Sequence, residues 1–272
     1  MAKLTRGFLE TADGEVHFRE GGPRDGKLPL VLVHPGPTAS HSVIPLMERL
    51  AEHRHVIAPD LMGMGDSDGP AIDNPDMGYY ADMVFRFLDA HGGFEKFDLW
   101  GSMTGAHCSI EMSLRKPERV NRLYIEMVQF YGPEMKTMMQ NGHAPKVKID
   151  HYGSQVHLMW NLARDQHAFF PWFTPEAQYR RGGTLPTVDQ LHDKVVELLK
   201  ACRTYHHGLG AALHYPTAEK LAQVKVPVFG PETFKEHLPG ATVRGDFCVG
   251  PSTAPGPVVD KAAKEILRHL AI

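Results

Sequence analysis

The sequence is short of cysteine, of net charge and of long apolar runs. Its three cysteines are far apart and form no Cys-x-x-Cys pair, which argues against a disulfide framework or zinc cluster and favours a reducing, cytoplasmic setting. A net charge of −3 indicates no nucleic-acid partner. No run approaches the roughly 18 apolar residues of a membrane span, so we expect no membrane association. The polar residues 1–20 also lack the apolar core of a signal peptide.

The chain is long enough for one large α/β domain, with 272 residues of which 42% are hydrophobic. Up to residue 130, short apolar runs alternate with runs of helical periodicity, which predicts a mostly parallel, doubly wound sheet. The predicted strands are a hairpin over Phe8–Glu20, then Leu28–His34, His55–Pro59, Phe97–Trp100 and Val120–Val128. The predicted helices are Ile44–His53, Met77–His91 and Ala106–Arg115.

The pattern changes between residues 131 and 216, where no buried strand is evident. We therefore predict a helical cap over 131–216, inserted into an α/β core formed by 1–130 and 217–272. Predicted cap helices are Gln155–Phe169, Thr187–His207 and Gly210–His214. The core is expected to resume with a strand at Val226–Gly230, a helix at Pro231–Leu238, a strand at Ala241–Asp246 and a helix at Pro257–Leu270.

The most informative stretch is Gly101–Gly105, which joins an apolar strand to a helix. Strand, tight turn and helix in this order are the arrangement of a nucleophile elbow. The two glycines are needed where strand and helix backbones come too close for a β-carbon. The middle residue of this turn is Met103. Its thioether has no proton to lose, so the expected nucleophile is missing.

Together with this turn, the stretches His34–Ser40, Pro59–Asp68 and Lys116–Val120 resemble the α/β-hydrolase superfamily. The capped members are most similar: haloalkane dehalogenases, epoxide hydrolases and C–C bond hydrolases. The resemblance covers residues 8–130 well and 220–270 weakly. It implies an α/β-hydrolase fold with a nucleophile at position 103, an acid after the strand that follows the cap, and a histidine after the last strand.

The triad that this resemblance implies is degenerate. Position 103 holds methionine, Gly230–Phe234 contains no aspartate, and Arg244–Ser252 contains no histidine. Some dehalogenases carry a glutamate at the end of the strand that follows the elbow helix, and Glu126 stands at the matching place. An unpaired buried carboxylate is costly, so Glu126 has either a pocket role or a structural ion pair.

Backbone amides remain as a source of electrostatic catalysis. The prolines of the loop after Leu28–His34 donate no hydrogen bond, so the predicted oxyanion donors are the amides of Gly36, Thr38 and Thr104. The alternative is a tight structural turn. His41, next along the chain, is either an acid or base of the cleft or a surface histidine.

A helix from Ser154 would place His157, Trp160, Asn161 and Arg164 on one face. That face suits an oxygenated aromatic compound or a carboxylate held above Met103, and the alternative is a solvent-exposed face. We predict Glu126 and His157 as the acid–base pair. Histidines that are adjacent in a helix point in different directions, so we expect them to form no metal site. We also expect no cofactor.

Three functions remain open. The first is an enzyme that acts on a small hydrophobic compound, aromatic or carbonyl-bearing, by acid–base chemistry without a serine nucleophile: a lyase, an isomerase or a water-activating hydrolase. The second is a hydrolase whose elbow nucleophile has been replaced by Met103. The third is a non-catalytic ligand-binding member of the fold. We expect a small-molecule substrate and leave a homodimer open.

Overall fold

The computed structural model describes residues 2–128, 130–182, 184–230 and 257–270. Its described strands form a seven-stranded sheet in the order β1-β2-β4-β3-β5-β6-β7. The first three in this order pair antiparallel and the others pair parallel, which confirms the mostly parallel sheet. The strands are β1 (Leu4–Thr11), β2 (Gly14–Gly21), β3 (Leu30–Val33), β4 (Val56–Pro59), β5 (Phe97–Ser102), β6 (Val120–Met127) and β7 (Val228–Phe229).

Helices cover both faces of this sheet because alternate strand residues point to opposite sides. Leu99 and Ile125 pack in one apolar cluster with α2 and α3. Trp100 and Tyr124, their neighbours in sequence, pack in a second cluster with α1 and α9. The bounds of these helices are α1 (Ile44–Leu50), α2 (Met77–His91), α3 (Thr104–Arg115) and α9 (Pro257–Leu270).

The chain between β6 and β7 is helical. It contains α4 (Pro133–Gly142), α5 (Ser154–Asp165), α6 (Val188–Ala201), α7 (Tyr205–His214) and α8 (Thr217–Leu221). The prediction of one helix to His207 was wrong, because the Thr204 side chain donates hydrogen bonds to the carbonyl oxygens of Ala201 and Gly63 and ties the chain to the core between α6 and α7. Helices α4 and α8 were not predicted, although proline at the first position of α4 is a helix-start signal.

Some predicted features lie outside the described residues. These are the helix Pro231–Leu238, the strand Ala241–Asp246 and the loop Arg244–Ser252 that lacks the expected histidine. No helix in the described part of the chain is long and apolar enough to cross a membrane.

Candidate active site

The turn between β5 and α3 has a strained backbone at Met103. Its φ of 52° and ψ of −117° make it the non-glycine residue with positive φ in the described part of the chain. The Met103 N–H donates to the carbonyl oxygen of Met127 at 2.7 Å, which ties the turn to the end of β6. A backbone strain of this kind costs free energy and marks functional turns.

The two glycines of this turn are required by close backbone contacts. A β-carbon on Gly105 would lie 2.0 Å from the carbonyl oxygen of Val33 in β3. A β-carbon on Gly101 would lie 2.5 Å from the carbonyl oxygen of Gly105. Both distances are far below van der Waals contact, so the predicted reason for these glycines is correct.

A cavity of about 540 Å³ opens beside Met103; we call it the site cavity. It lies between the first turn of α3 and the helical segment that follows β6. Its lining is mostly apolar and aromatic, with two histidines and two charged side chains. The lining residues include Met103, Thr104, His107, Phe130, Tyr131, Lys136, Met139, His143, Phe170, Leu209, Leu213, Tyr215 and Glu219.

His107 lies in the site cavity one helical turn after Met103. Its Nδ1 is 2.8 Å from the Met103 carbonyl oxygen, an acceptor, so Nδ1 carries the proton and Nε2 keeps its lone pair. Burial lowers the pKa of His107 from 6.5 to about 4, so the ring is neutral at pH 7. His107 was not predicted as a site residue, although its spacing of four from Met103, which immediately precedes α3, places the two residues on the same side of the helix.

His143, just after α4, is a second imidazole in the site cavity. Burial lowers its pKa from 6.5 to about 4 as well. Its Nδ1 is buried and has no hydrogen-bond partner among the described residues. The ring lies edge-on to Phe170, with centroids 6.3 Å apart. No sequence signal links His143 to Met103, because only the packing of α4 brings it there.

The predicted oxyanion donors have different surroundings. The Thr38 N–H donates to the Pro35 carbonyl oxygen at 3.1 Å, so Thr38 is not an available donor and that prediction was wrong. Gly36 lies against Thr104: a β-carbon on Gly36 would be 2.7 Å from the Thr104 Oγ1. The Thr104 N–H belongs to the first turn of α3 and has no acceptor among the described residues. His41 is exposed and is not among the described lining residues.

The predicted binding face of α5 was wrong. His157 is exposed, Trp160 is 43% exposed, and neither is among the described residues of the site cavity. Arg164 is half-buried and pairs with Asp165 at 2.6 Å. The buried face of this helix is apolar and consists of Met159, Leu162 and Ala163. Burial of that stripe turns the polar face outwards, so His157 is also removed from the predicted acid–base pair.

Glu126 lies in β6 and is 2% exposed. By strand alternation it shares the sheet face of Tyr124, which packs with α1 and α9. It is not among the described residues that line the site cavity. A catalytic role for Glu126 stays a prediction.

Asp60 orders the turn that follows β4. Its carboxylate accepts hydrogen bonds from the Ser40 N–H at 2.6 Å and the Asp66 N–H at 3.1 Å, and its Oδ2 lies 2.8 Å from the Nδ1 of His17. Burial by itself would raise its pKa, but the hydrogen bond with His17 and the neighbouring groups lower it. His17, Asp60 and Asp66 are close enough to share a metal ion, yet Asp60 already has these partners and needs none.

Comparison with known families agrees with this architecture. Residues 29–162 match the model of the alpha/beta hydrolase fold family. A 2-hydroxymuconate semialdehyde hydrolase from Pseudomonas sp. (strain CF600) is 37% identical over 100 residues, which are 36% of this chain and 35% of the relative. A haloalkane dehalogenase from Mycolicibacterium paratuberculosis is 32% identical over 122 residues, 43% of this chain and 38% of the relative. The chain thus spans little more than a third of the length of these curated relatives.

Solved structures match along nearly the whole chain. Cfl2 from Burkholderia cenocepacia has a TM-score of 0.72 at 19% identity, covering 98% of this chain and 96% of that one. A thermophilic esterase from Thermogutta terrifontis has a TM-score of 0.70 at 19% identity, covering 98% and 100%. Likeness at this identity shows the fold alone. Together with the family match and the sheet order, it shows that this chain has the α/β-hydrolase fold.

Proposed function

We propose that this protein is an enzyme that acts on a small, largely apolar carbonyl compound held in the site cavity, and that it uses acid–base chemistry without a covalent intermediate on the turn. The observation that carries the proposal is the pairing of His107 with the Met103 backbone inside that cavity. The helices within residues 131–216 serve as the cap that closes the cavity above Met103.

His107 is the proposed base in place of His157. Its Nδ1–H is held by the Met103 carbonyl oxygen, so the ring orientation is set before a substrate binds. Its Nε2 has no hydrogen-bond partner among the described residues and carries the free lone pair. A water molecule bound beside Nε2 would give up a proton to it, while its oxygen adds to the substrate carbonyl carbon. A pKa of about 4 makes His107 a weak base, so this step depends on position more than on basicity.

The carbonyl oxygen needs donors as negative charge develops on it. The Thr104 amide is the amide after the middle of the turn, and Gly36 lies directly against this residue. Both amides are proposed to face the substrate oxygen, and the N-terminal end of α3 adds its positive dipole. Because the Thr38 amide is already bonded to Pro35, the amides of Gly36 and Thr104 are the two proposed donors.

The lining supports an aromatic or conjugated substrate. Phe130, Tyr131 and Phe170 line one cavity, and the rings of Tyr131 and Phe170 stack with centroids 6.4 Å apart and 22° between planes. Offset stacking on such rings favours flat ligands. One of the relatives described above is named a 2-hydroxymuconate semialdehyde hydrolase, which supports hydrolysis over isomerisation.

The test is turnover of a panel of aryl esters, hydroxy-ketones and 1,3-diketones by the parent, His107→Gln and His143→Gln. We expect His107→Gln to lower kcat at least 100-fold, because the base is lost. His143→Gln, which changes an imidazole in the same cavity, should mainly raise KM. Equal activity of the parent and His107→Gln would overturn the assignment.

A second measurement addresses the missing nucleophile. In a single turnover in ¹⁸O-labelled water, direct attack by water puts the label into the product at once. If the acyl group of the substrate were first transferred to a protein carboxylate, a mixed anhydride would form, and attack of water on the protein's carbonyl carbon would leave the label in the protein after the first turnover. The latter result would exclude the proposed mechanism.

The strained backbone of Met103 favours one alternative, a hydrolase whose nucleophile has been replaced. Met103→Ser restores a hydroxyl at that position. Catalytic activity of Met103→Ser, together with no activity of the parent, would support this alternative. If both proteins bind the ligand and neither turns it over, the result would favour a binding protein.

A further inference from the structure

A second cavity of about 540 Å³ adjoins the site cavity; we call it the outer cavity. The lining of both cavities includes Tyr215 and Pro216, at the junction of α7 and α8. Pro216 is exposed, whereas Tyr215 is 8% exposed. Tyr215 is therefore the buried part of the wall between the two cavities.

Two contacts hold Tyr215 in this position. Its ring lies edge-on to His107, with centroids 5.7 Å apart and 81° between planes. Its hydroxyl donates to the Oε2 of Glu111 at 2.8 Å. Burial, and next the hydrogen bond with Glu111, raise the pKa of Tyr215, so the hydroxyl keeps the proton that it donates.

Glu111 is itself a fixed acceptor. It is 7% exposed and lies on α3 one turn beyond His107. Its Oε1 accepts from Arg115 Nε at 3.0 Å, and its Oε2 lies 3.4 Å from Lys220 Nζ. A carboxylate held by two cations is a strong acceptor for the tyrosine hydroxyl. Displacing Tyr215 would break this bond and separate the ring from His107.

We propose that Tyr215 sets the length of ligand that the site cavity accepts, as a closed wall between it and the outer cavity. The proposal rests on the proposed function only in taking the site cavity as the binding site. Compact aryl ketones and esters fit on the Met103 side of the wall. A longer chain meets the Tyr215 ring and binds only if the ring is removed and the two cavities join.

The test is binding of a homologous series of phenyl alkyl ketones, from acetophenone to decanophenone, measured by isothermal titration calorimetry without turnover. For the parent we expect affinity to rise with each added methylene, then to fall at least 10-fold past a cut-off length. In Tyr215→Ala the cut-off should move to chains longer by four or more methylenes, by roughly the reach of a tyrosine side chain.

Leu213→Ala is the matched control, because Leu213 lines the site cavity and is not among the described residues of the outer cavity. It enlarges the site cavity without opening the wall, so its cut-off should move by one methylene at most. Tyr215→Phe keeps the ring and should keep the cut-off. Tyr215→Leu replaces Tyr215→Ala if thermal melting shows that the latter does not fold.

The proposal is overturned if the parent shows no cut-off, or if Tyr215→Ala and Leu213→Ala give the same profile. Absence of turnover with the length profile intact would instead count against the proposed function alone.

Discussion

The Nδ1 of His107 lies 2.8 Å from the carbonyl oxygen of Met103. A side chain one turn into α3 is thus held by the backbone of the strained residue that precedes the helix. The arrangement sets the tautomer of His107 and leaves its second nitrogen for the site cavity. It supplies a polar group where the turn residue itself offers only a thioether.

Acid is expected to destabilise the protein through His107. The folded-state pKa of about 4 lies below the ordinary 6.5, so the unfolded chain binds more protons between these values. The contribution of His107 to the free energy of unfolding is complete above pH 6.5. As the pH falls to 4, this contribution of about 3 kcal/mol is lost. Urea unfolding of the parent and His107→Gln from pH 4 to 7 checks this. A stability difference that does not change with pH would contradict it.

Glu197 is expected to act in the opposite direction. This α6 residue is 8% exposed, and its Oε1 accepts from the Ala39 N–H at 3.3 Å. Burial raises its pKa from 4.5 to about 7, so the folded state binds more protons between these values. Stability from this group is present below pH 4.5 and is lost as the pH rises to 7. The free energy of unfolding of Glu197→Gln, measured with urea, should therefore rise relative to that of the parent between pH 5 and pH 8. A difference in free energy between variant and parent that does not change with pH would count against the raised pKa.

The strain at Met103 can be measured by comparing two truncations. Met103→Gly and Met103→Ala remove the same contacts beyond the β-carbon, but only glycine adopts a φ of 52° without strain. We expect Met103→Gly to be more stable than Met103→Ala by about 1–2 kcal/mol. If alanine proves equal or better in chemical denaturation, the turn is not strained in solution.

Gly105 should tolerate no side chain. Its β-carbon would lie 2.0 Å from a backbone oxygen, so Gly105→Ala is expected to cost more than about 4 kcal/mol or to prevent folding. The matched control is Gly210→Ala in α7, where a β-carbon meets nothing within 4 Å. There alanine should stabilise by about 0.5–1 kcal/mol, through helix propensity. Thermal melting of both variants compares these changes in stability. Similar losses of stability in Gly105→Ala and Gly210→Ala would contradict the prediction.

The core could be predicted because its signals are local. Apolar runs with strand spacing became β3, β4, β5 and β6, and the bounds of α2 over Met77–His91 were predicted without error. The turn at Gly101–Gly105 was recognisable because two glycines and a short apolar strand are sufficient to indicate it. Helices α6 and α7 were merged in the prediction, since the Thr204 contact with the core has no counterpart in helical periodicity.

The candidate site was less predictable. Periodicity on α5 identified a polar face that includes His157 and Arg164, but periodicity does not say whether a polar face meets a cleft or the solvent. The structure answers that question by burying Met159 and Leu162 on the other side. The sequence likewise did not show that the Thr38 amide already donates a hydrogen bond to the Pro35 carbonyl oxygen and is therefore not available to a substrate.

The sequence by itself determined the α/β-hydrolase fold, the mostly parallel sheet and the absence of a nucleophile at Met103, because these depend on residue type and on neighbours along the chain. The tertiary structure alone decided that His107, His143 and Tyr215 meet around one cavity. His107 and Tyr215 are 108 residues apart in the sequence. Packing of α7 and α8 against α3, and of α4 against α7, brings the three side chains together. Contacts between distant segments depend on the burial of many apolar side chains at once, which no local pattern records.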